Sequence, residues 1–218
     1  MSTVCICDII SGTVESNRTI PRIEVILMKR TIALVMSVIL ILCCFSACGT
    51  SGLKGKHHVE MVIKDYGTVK IELDGDQAPL TVKNFVDLCN KGFYDGLTFH
   101  RLVKGFVLQG GDPEGTGLGG CDSSIKGEFS QNGVNNTIKH KRGVISMARN
   151  QFNFDSASSQ FFICLDDSCG KSLDGQYAAF GTVTEGMDVI DKICDSLPES
   201  DCLPTEQQPV IESIKVID

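Results

Sequence analysis

The segment Phe99 to Asp112, FHRLVKGFVLQGGD, limits what this chain can become more than any other. It sets one arginine, Arg101, and one glutamine, Gln109, among apolar and glycine residues. Phe99, Phe106, Val107 and Leu108 supply hydrophobic surface. Gly105, Gly110 and Gly111 allow the backbone to turn or to approach another group closely. A guanidinium beside an apolar wall is costly to bury without a partner. The segment therefore reads in two ways: a core arginine with its donors satisfied, or a pocket that offers those donors to a ligand carbonyl. The residues of the segment alone leave both open.

The flanking sequence is built from short strands. His58 to Ile63 (HVEMVI) and Thr68 to Leu73 (TVKIEL) alternate apolar and polar residues around a turn ending in Gly67, which predicts a hairpin with one buried face. Ala78 to Lys91 switches to a helical period, with Pro79 in the first turn and Gly92 at the end. Further strands are expected at Val144 to Ala148 (VISMA), Gln160 to Leu165 (QFFICL), Gly175 to Thr184 and Pro209 to Ile217. Gly186 to Leu197 has the apolar spacing of an amphipathic helix. Pro113 to Gly120 (PEGTGLGG) is glycine-rich, but it lacks a Gly-Lys-Ser/Thr ending and no helix pattern follows, so it reads as a surface loop. Many short strands with two helices near the ends predict an all-β domain, a closed β-barrel with helical caps.

The N-terminal region has a different character. Met28-Lys29-Arg30 is a short basic segment, Thr31 to Phe45 an uncharged apolar run, and Ser46-Ala47-Cys48-Gly49 places small residues around a cysteine. This order resembles a bacterial lipoprotein signal peptide over 28–47, with Cys48 as the lipidated N-terminus of the mature protein. An uncleaved signal anchor is the alternative. Residues 1–27 then read as an extension upstream of the translation start. Residues 48–57 read as a flexible tether, and 58–218 as the folded domain. The expected location is extracytoplasmic, on the cell envelope, with the lipid bilayer engaged through Cys48.

Composition excludes several functions. The net charge of −7 and the absence of a basic stripe argue against a nucleic-acid partner. No cysteine or histidine spacing suits a metal. Six cysteines remain in the body (Cys89, Cys121, Cys164, Cys169, Cys194 and Cys202), and a domain of this size does not need them as staples, so mostly free thiols are expected.

Six blocks in order carry a specific resemblance: FHRLVKGFVLQGGD, Gly127-Glu128-Phe129, Gly143 to Ala148, SSQFFI, LDGQYAAFG and EGMDVID. They are similar to the cyclophilin-type peptidyl-prolyl cis-trans isomerases over about Val59 to Asp218. The resemblance implies an eight-stranded antiparallel β-barrel capped by two α-helices. It implies Arg101, Phe106 and Gln109 as the catalytic set. It implies Val107, Ala148, Arg149, Gln160, Phe162, Leu173 and Tyr177 as substrate-binding residues. Ser172 stands where many members carry a tryptophan that contacts cyclosporin, and Tyr177 where many carry histidine. Asn150 to Ser158 is a slightly longer loop than the common pattern.

The implied reaction is rotation about an Xaa-Pro amide, whose uncatalysed barrier is about 20 kcal/mol from amide resonance. No covalent bond is broken, so no nucleophile, metal or cofactor is required, only tighter binding of the twisted amide than of either planar form. The expected partners are proline-containing segments of unfolded or exported proteins, met by a monomer. The rival is a non-catalytic module that docks proline-containing segments in the cell envelope.

Overall fold

The computed structural model of the chain describes residues 51–218. Residues 1–27, the signal-peptide segment and Cys48 lie outside the described residues. The expected hairpin forms from β1 (Lys56–Ile63) and β2 (Gly67–Asp74), paired antiparallel with Val59 opposite Ile71 and Met61 opposite Val69. Its turn carries Asp65 at φ 65, a left-handed conformation that a short polar side chain tolerates. Val59, Met61, Ile63, Val69, Ile71 and Leu73 are all buried, as the period-two alternation requires. The chain is already docked before β1. Leu53 N–H donates to the Pro79 carbonyl at 2.9 Å and Gly75 N–H to the Gly55 carbonyl at 2.8 Å, so the flexible tether read over 48–57 is held in its later part.

Helix α1 (Pro79–Asn90) starts with proline at its first turn and buries Val82, Phe85, Val86, Leu88 and Cys89. Its N-terminus is satisfied from a distance. The buried Glu128 carboxylate accepts from the Leu80 amide (3.1 Å), the Thr81 amide (2.8 Å) and the Thr81 hydroxyl (2.8 Å). A carboxylate there balances both the open amides and the positive end of the helix.

The remaining strands are β3 (Thr98–Val103), β4 (Val107–Asp112), β5 (Val144–Met147), β6 (Phe161–Cys164), β7 (Ala179–Glu185) and β8 (Ile211–Val216). The helices α2 (Gly170–Leu173) and α3 (Met187–Ser196) flank β7 in the chain. The helix α2 is a single turn not expected from the sequence. The strands form one antiparallel sheet in the order β3-β4-β6-β5-β7-β2-β1-β8. It curls into a half-barrel and does not close. Between the edge strands β3 and β8 no ladder forms. The edges meet at the isolated bridge of Thr98 with Val210 and a few neighbouring backbone bonds. The reason is local: Pro209 has no N–H to extend a ladder, and β3 is bulged at Thr98/Phe99 and again at Phe99/Arg101.

The second bulge has a further effect. Phe99 and Leu102 are three positions apart, yet both enter the main core, while Arg101 between them stays half-buried outside it. An unbroken strand would send Phe99 and Leu102 to opposite faces. Around Phe99 the core is an aromatic cluster in which Phe85, Tyr94 and Phe99 each pack edge-on against Phe161. The strands β4, β5, β6 and β7 are covered on both faces. Leu108, Ile145, Phe161, Ile163 and Phe180 face the main core, while Val107, Val144, Phe162, Cys164 and Ala179 form a second apolar cluster behind them. Burial on both faces is why VISMA and QFFICL read as continuous apolar runs rather than alternating ones. All six body cysteines are free thiols.

Candidate active site

The second apolar cluster floors an open cavity of about 380 Å³. Phe162 and Val107 form its base, both almost fully buried. Phe106, Leu173 and Tyr177 form the walls, and Ala148 and Arg149 the rim. Tyr177 packs edge-on to Phe162 at 5.8 Å between ring centroids. Each wall residue has a clear structural source. Phe106 and Val107 follow the β3–β4 turn, where Gly105 takes φ 70. Leu173 ends α2, which places it over β6.

Arg101 stands at one edge of the cavity, on the outer face of β3. Its Nε donates to Oδ1 of Asp201 at 2.9 Å. Its two Nη groups have no protein partner among the described residues. Gln109 lies between this cavity and a second one of about 400 Å³ lined by Gly117, Gly119, Asn150 and Gln160. Gln109 Nε2 donates to Gln160 Oε1 at 2.9 Å. Gln160 Nε2 in turn donates to the carbonyls of Gly117 (3.1 Å) and Gly119 (2.8 Å).

Those carbonyls are fixed by Asp112. Its carboxylate accepts from the amides of Glu114 (2.8 Å), Thr116 (3.0 Å), Gly117 (2.6 Å) and Gly119 (3.3 Å). Burial pushes the Asp112 carboxyl up, but these amides together outweigh it and hold the group below the usual carboxylate range. The glycine-rich loop does gather amides around an anion, and the anion is the chain's own side chain.

Behind the pocket floor lies a second network. His140 is buried and stacked on Phe162 at 6.2 Å, with Nδ1 3.0 Å from Asp174 Oδ1 and Nε2 3.0 Å from the Ser146 hydroxyl. Burial lowers the His140 pKa despite the opposing pull of Asp174. A neutral imidazole that donates to Asp174 and accepts from Ser146 satisfies all three groups. Arg149 binds loop carbonyls: Nε donates to Gln176 (2.9 Å) and Nη1 to Asn150 (2.9 Å) and Gln151 (3.2 Å). Its guanidinium also lies over the rings of Phe129, Phe154 and Tyr177, 4.6 to 5.3 Å from their centroids. Its side chain therefore fastens the rim loop to Tyr177.

The structure thus brings Arg101, Phe106, Val107, Gln109, Ala148, Arg149, Phe162, Leu173 and Tyr177 to one cavity and puts Gln160 in the adjoining one. Comparison with known proteins decides what such a cavity belongs to. Residues 58–216 match the family model described as cyclophilin type peptidyl-prolyl cis-trans isomerase. The chain belongs to this family.

A Helicobacter pylori peptidyl-prolyl cis-trans isomerase is 48% identical over 129 residues, which cover 58% of this chain and 74% of that protein. The peptidyl-prolyl cis-trans isomerase A of Dickeya dadantii is 40% identical over 162 residues, covering 69% of this chain and 80% of the relative. Among solved structures, a Cryptosporidium parvum cyclophilin crystallised in the presence of the dipeptide Ala-Pro superposes with a TM-score of 0.65 at 31% identity, over 74% of this chain and 99% of that one. This cyclophilin is an enzyme, a peptidyl-prolyl cis-trans isomerase.

Sequence reading missed three participants. Gln151 sits in the loop Asn150 to Ser158 and Asp201 between the α3 segment and the last strand, outside every matching block, and nothing in their own sequence marks them. Asp174, inside the LDGQYAAFG block but not among its implied site residues, orients His140 beneath the pocket floor. The block Gly127-Glu128-Phe129 belongs to the scaffold, since Glu128 caps α1.

Proposed function

We propose that this cyclophilin assists the folding of exported proteins by turning Xaa-Pro bonds, with Arg101 acting on the twisted amide. The observation that carries this reading is the pairing of an apolar-floored pocket with an arginine at its edge. Phe106, Val107, Phe162 and Leu173 supply the apolar floor and walls against which a prolyl ring would pack. Arg101 keeps two Nη groups for the prolyl carbonyl and for the amide nitrogen as it pyramidalises. Twisting frees the nitrogen lone pair from resonance, so this hydrogen bond is stronger in the transition state than in either planar state. Gln109, oriented by Gln160, holds backbone groups on one side of the bond while the other turns. Ala148 and Arg149 present backbone to the substrate. The Ala-Pro dipeptide used with the C. parvum structure supports proline-containing peptides as the substrate class.

Placement outside the cytoplasm is supported by the resemblance of Met28 to Cys48 to a lipoprotein signal peptide, with Cys48 as the lipid-bearing residue. Two measurements test the whole reading. An NMR exchange assay on an Xaa-Pro peptide should show catalysis by the wild type. Arg101→Ala should lower kcat/KM by about ten- to a hundredfold, the equivalent of ~1.5–3 kcal/mol for charge-assisted hydrogen bonds. An unchanged rate sinks the role of Arg101. Mass spectrometry of the native protein should find Cys48 diacylated and N-terminal, and an unmodified Cys48 sinks the anchor.

A further inference from the structure

Arg101 has a partner that lies outside every block of the family pattern. Its Nε donates to Asp201 Oδ1 at 2.9 Å, across 100 positions of sequence. The two meet because the loop after α3 is stitched to β3 by backbone. Leu102 and Ser200 exchange both N–H···O=C bonds, at 2.9 and 2.8 Å, and Leu203 N–H donates to the His100 carbonyl at 2.7 Å. Within the loop, the Ser200 hydroxyl donates to the Cys202 carbonyl at 2.8 Å. Asp201 therefore has a fixed backbone on both sides, while its side chain is 86% exposed against 27% for Arg101.

An ion pair this exposed adds little to the stability of a fold. Its effect is on geometry. A guanidinium on a flexible stem samples many planes, and its five donors form a rigid fork once one of them is held. A bond at Nε fixes the plane and leaves all four Nη hydrogens. We infer that Asp201 is a positioning residue of the isomerase, anchoring Arg101 through Nε so that the Nη donors stay presented to the turning amide. The inference rests on the role proposed above for Arg101. It adds preorganisation: the donors are in place before the amide twists and need not be gathered during the reaction.

The test uses wild type, D201A, D201N, R101A and the R101A/D201A double variant, with kcat, KM and melting temperature for each on one Xaa-Pro peptide. D201A should lose about fivefold in kcat with KM unchanged, because the apolar pocket still binds the planar substrate. D201N should recover at least half of the wild-type kcat, since its amide oxygen still accepts from Nε. The double variant should match R101A, because Asp201 acts only through Arg101. Melting temperatures should stay together. D201A at or above the wild-type rate would mean that Asp201 draws the arginine away from substrate, and that overturns the inference. So does D201N as slow as D201A, multiplying losses in the double variant, or a D201A rate that falls only in step with stability. An inactive R101A beside a fully active D201A removes Asp201 alone. A fully active R101A removes both.

Discussion

Gln109 and Gln160 are joined amide to amide, Nε2 to Oε1 at 2.9 Å, across the β4–β6 pairing that sets Gln109 opposite Phe162. Because Gln160 spends its own Nε2 on the Gly117 and Gly119 carbonyls, its oxygen is aimed and the orientation of Gln109 follows. Gln160→Ala breaks both ends of this relay. We expect kcat/KM to fall by about tenfold, equivalent to ~1.4 kcal/mol and within the range of one hydrogen-bond network. A protease-coupled assay checks it, and a Q160A chain with wild-type kcat/KM would mean that Gln109 needs no such support.

Phe162 is the floor of the proline pocket and almost fully buried between His140 and Tyr177. Phe162→Ala should cost about 3–4 kcal/mol of stability through the cavity it leaves. Urea unfolding measures that loss, and steady-state kinetics should show a raised KM as well. Phe162→Leu should recover most of the stability and only part of the KM.

Glu128→Ala should destabilise the domain without touching the chemistry. The change leaves the Leu80 and Thr81 amides and the Thr81 hydroxyl without an acceptor at the start of α1. The expected loss is about 2–4 kcal/mol, from unmet buried donors together with the helix dipole. Calorimetry should show it, and activity per folded molecule should be unchanged.

Stability should decline as pH falls from neutral. Burial lowers the pKa of both His100 and His140, so the unfolded chain takes up their protons first. With unfolded histidine near ~6.5, the loss begins as pH drops through that value and grows toward the lower folded pKa values. Asp112 and Asp174 have depressed pKa values too, so their stabilisation is present above about 3.9 and is lost as pH falls through the folded values. His58 opposes the first step, since its contact with Asp218 raises its pKa, but it is exposed. Melting curves from pH 7.5 to 5 check the sum, and a flat profile across that range contradicts it.

The parts of this molecule legible in the sequence are those with local causes. The β1–β2 hairpin, α1 and α3 follow from period and from Pro79, Gly67 and Gly186. The pocket residues were legible through the resemblance of ordered blocks, since Arg101 or Phe162 taken singly reads as core. The illegible parts depend on contacts between distant segments. The Asp201 partnership exists only because a loop pairs with β3. The cap on α1 comes from Glu128, 47 positions from Thr81. The unclosed edge between β3 and β8 depends on bulges that no hydrophobic pattern records.

The self-filled amide nest at Asp112 separates two properties that proteins often entangle. The carbonyls that steer Gln160 are set by main chain and one internal carboxylate, with the Thr116 hydroxyl joining them at 3.5 Å from Asp112 and 3.2 Å from the Leu118 amide, while the Leu118 side chain makes no hydrogen bond. Leu118 stands 91% exposed between those carbonyls, on the lip of the second cavity. Because the fixed parts beneath it do not depend on that side chain, replacing Leu118 should leave the Gln109–Gln160 relay intact and alter only the apolar surface at this lip, which makes the loop the natural place for an engineer to begin.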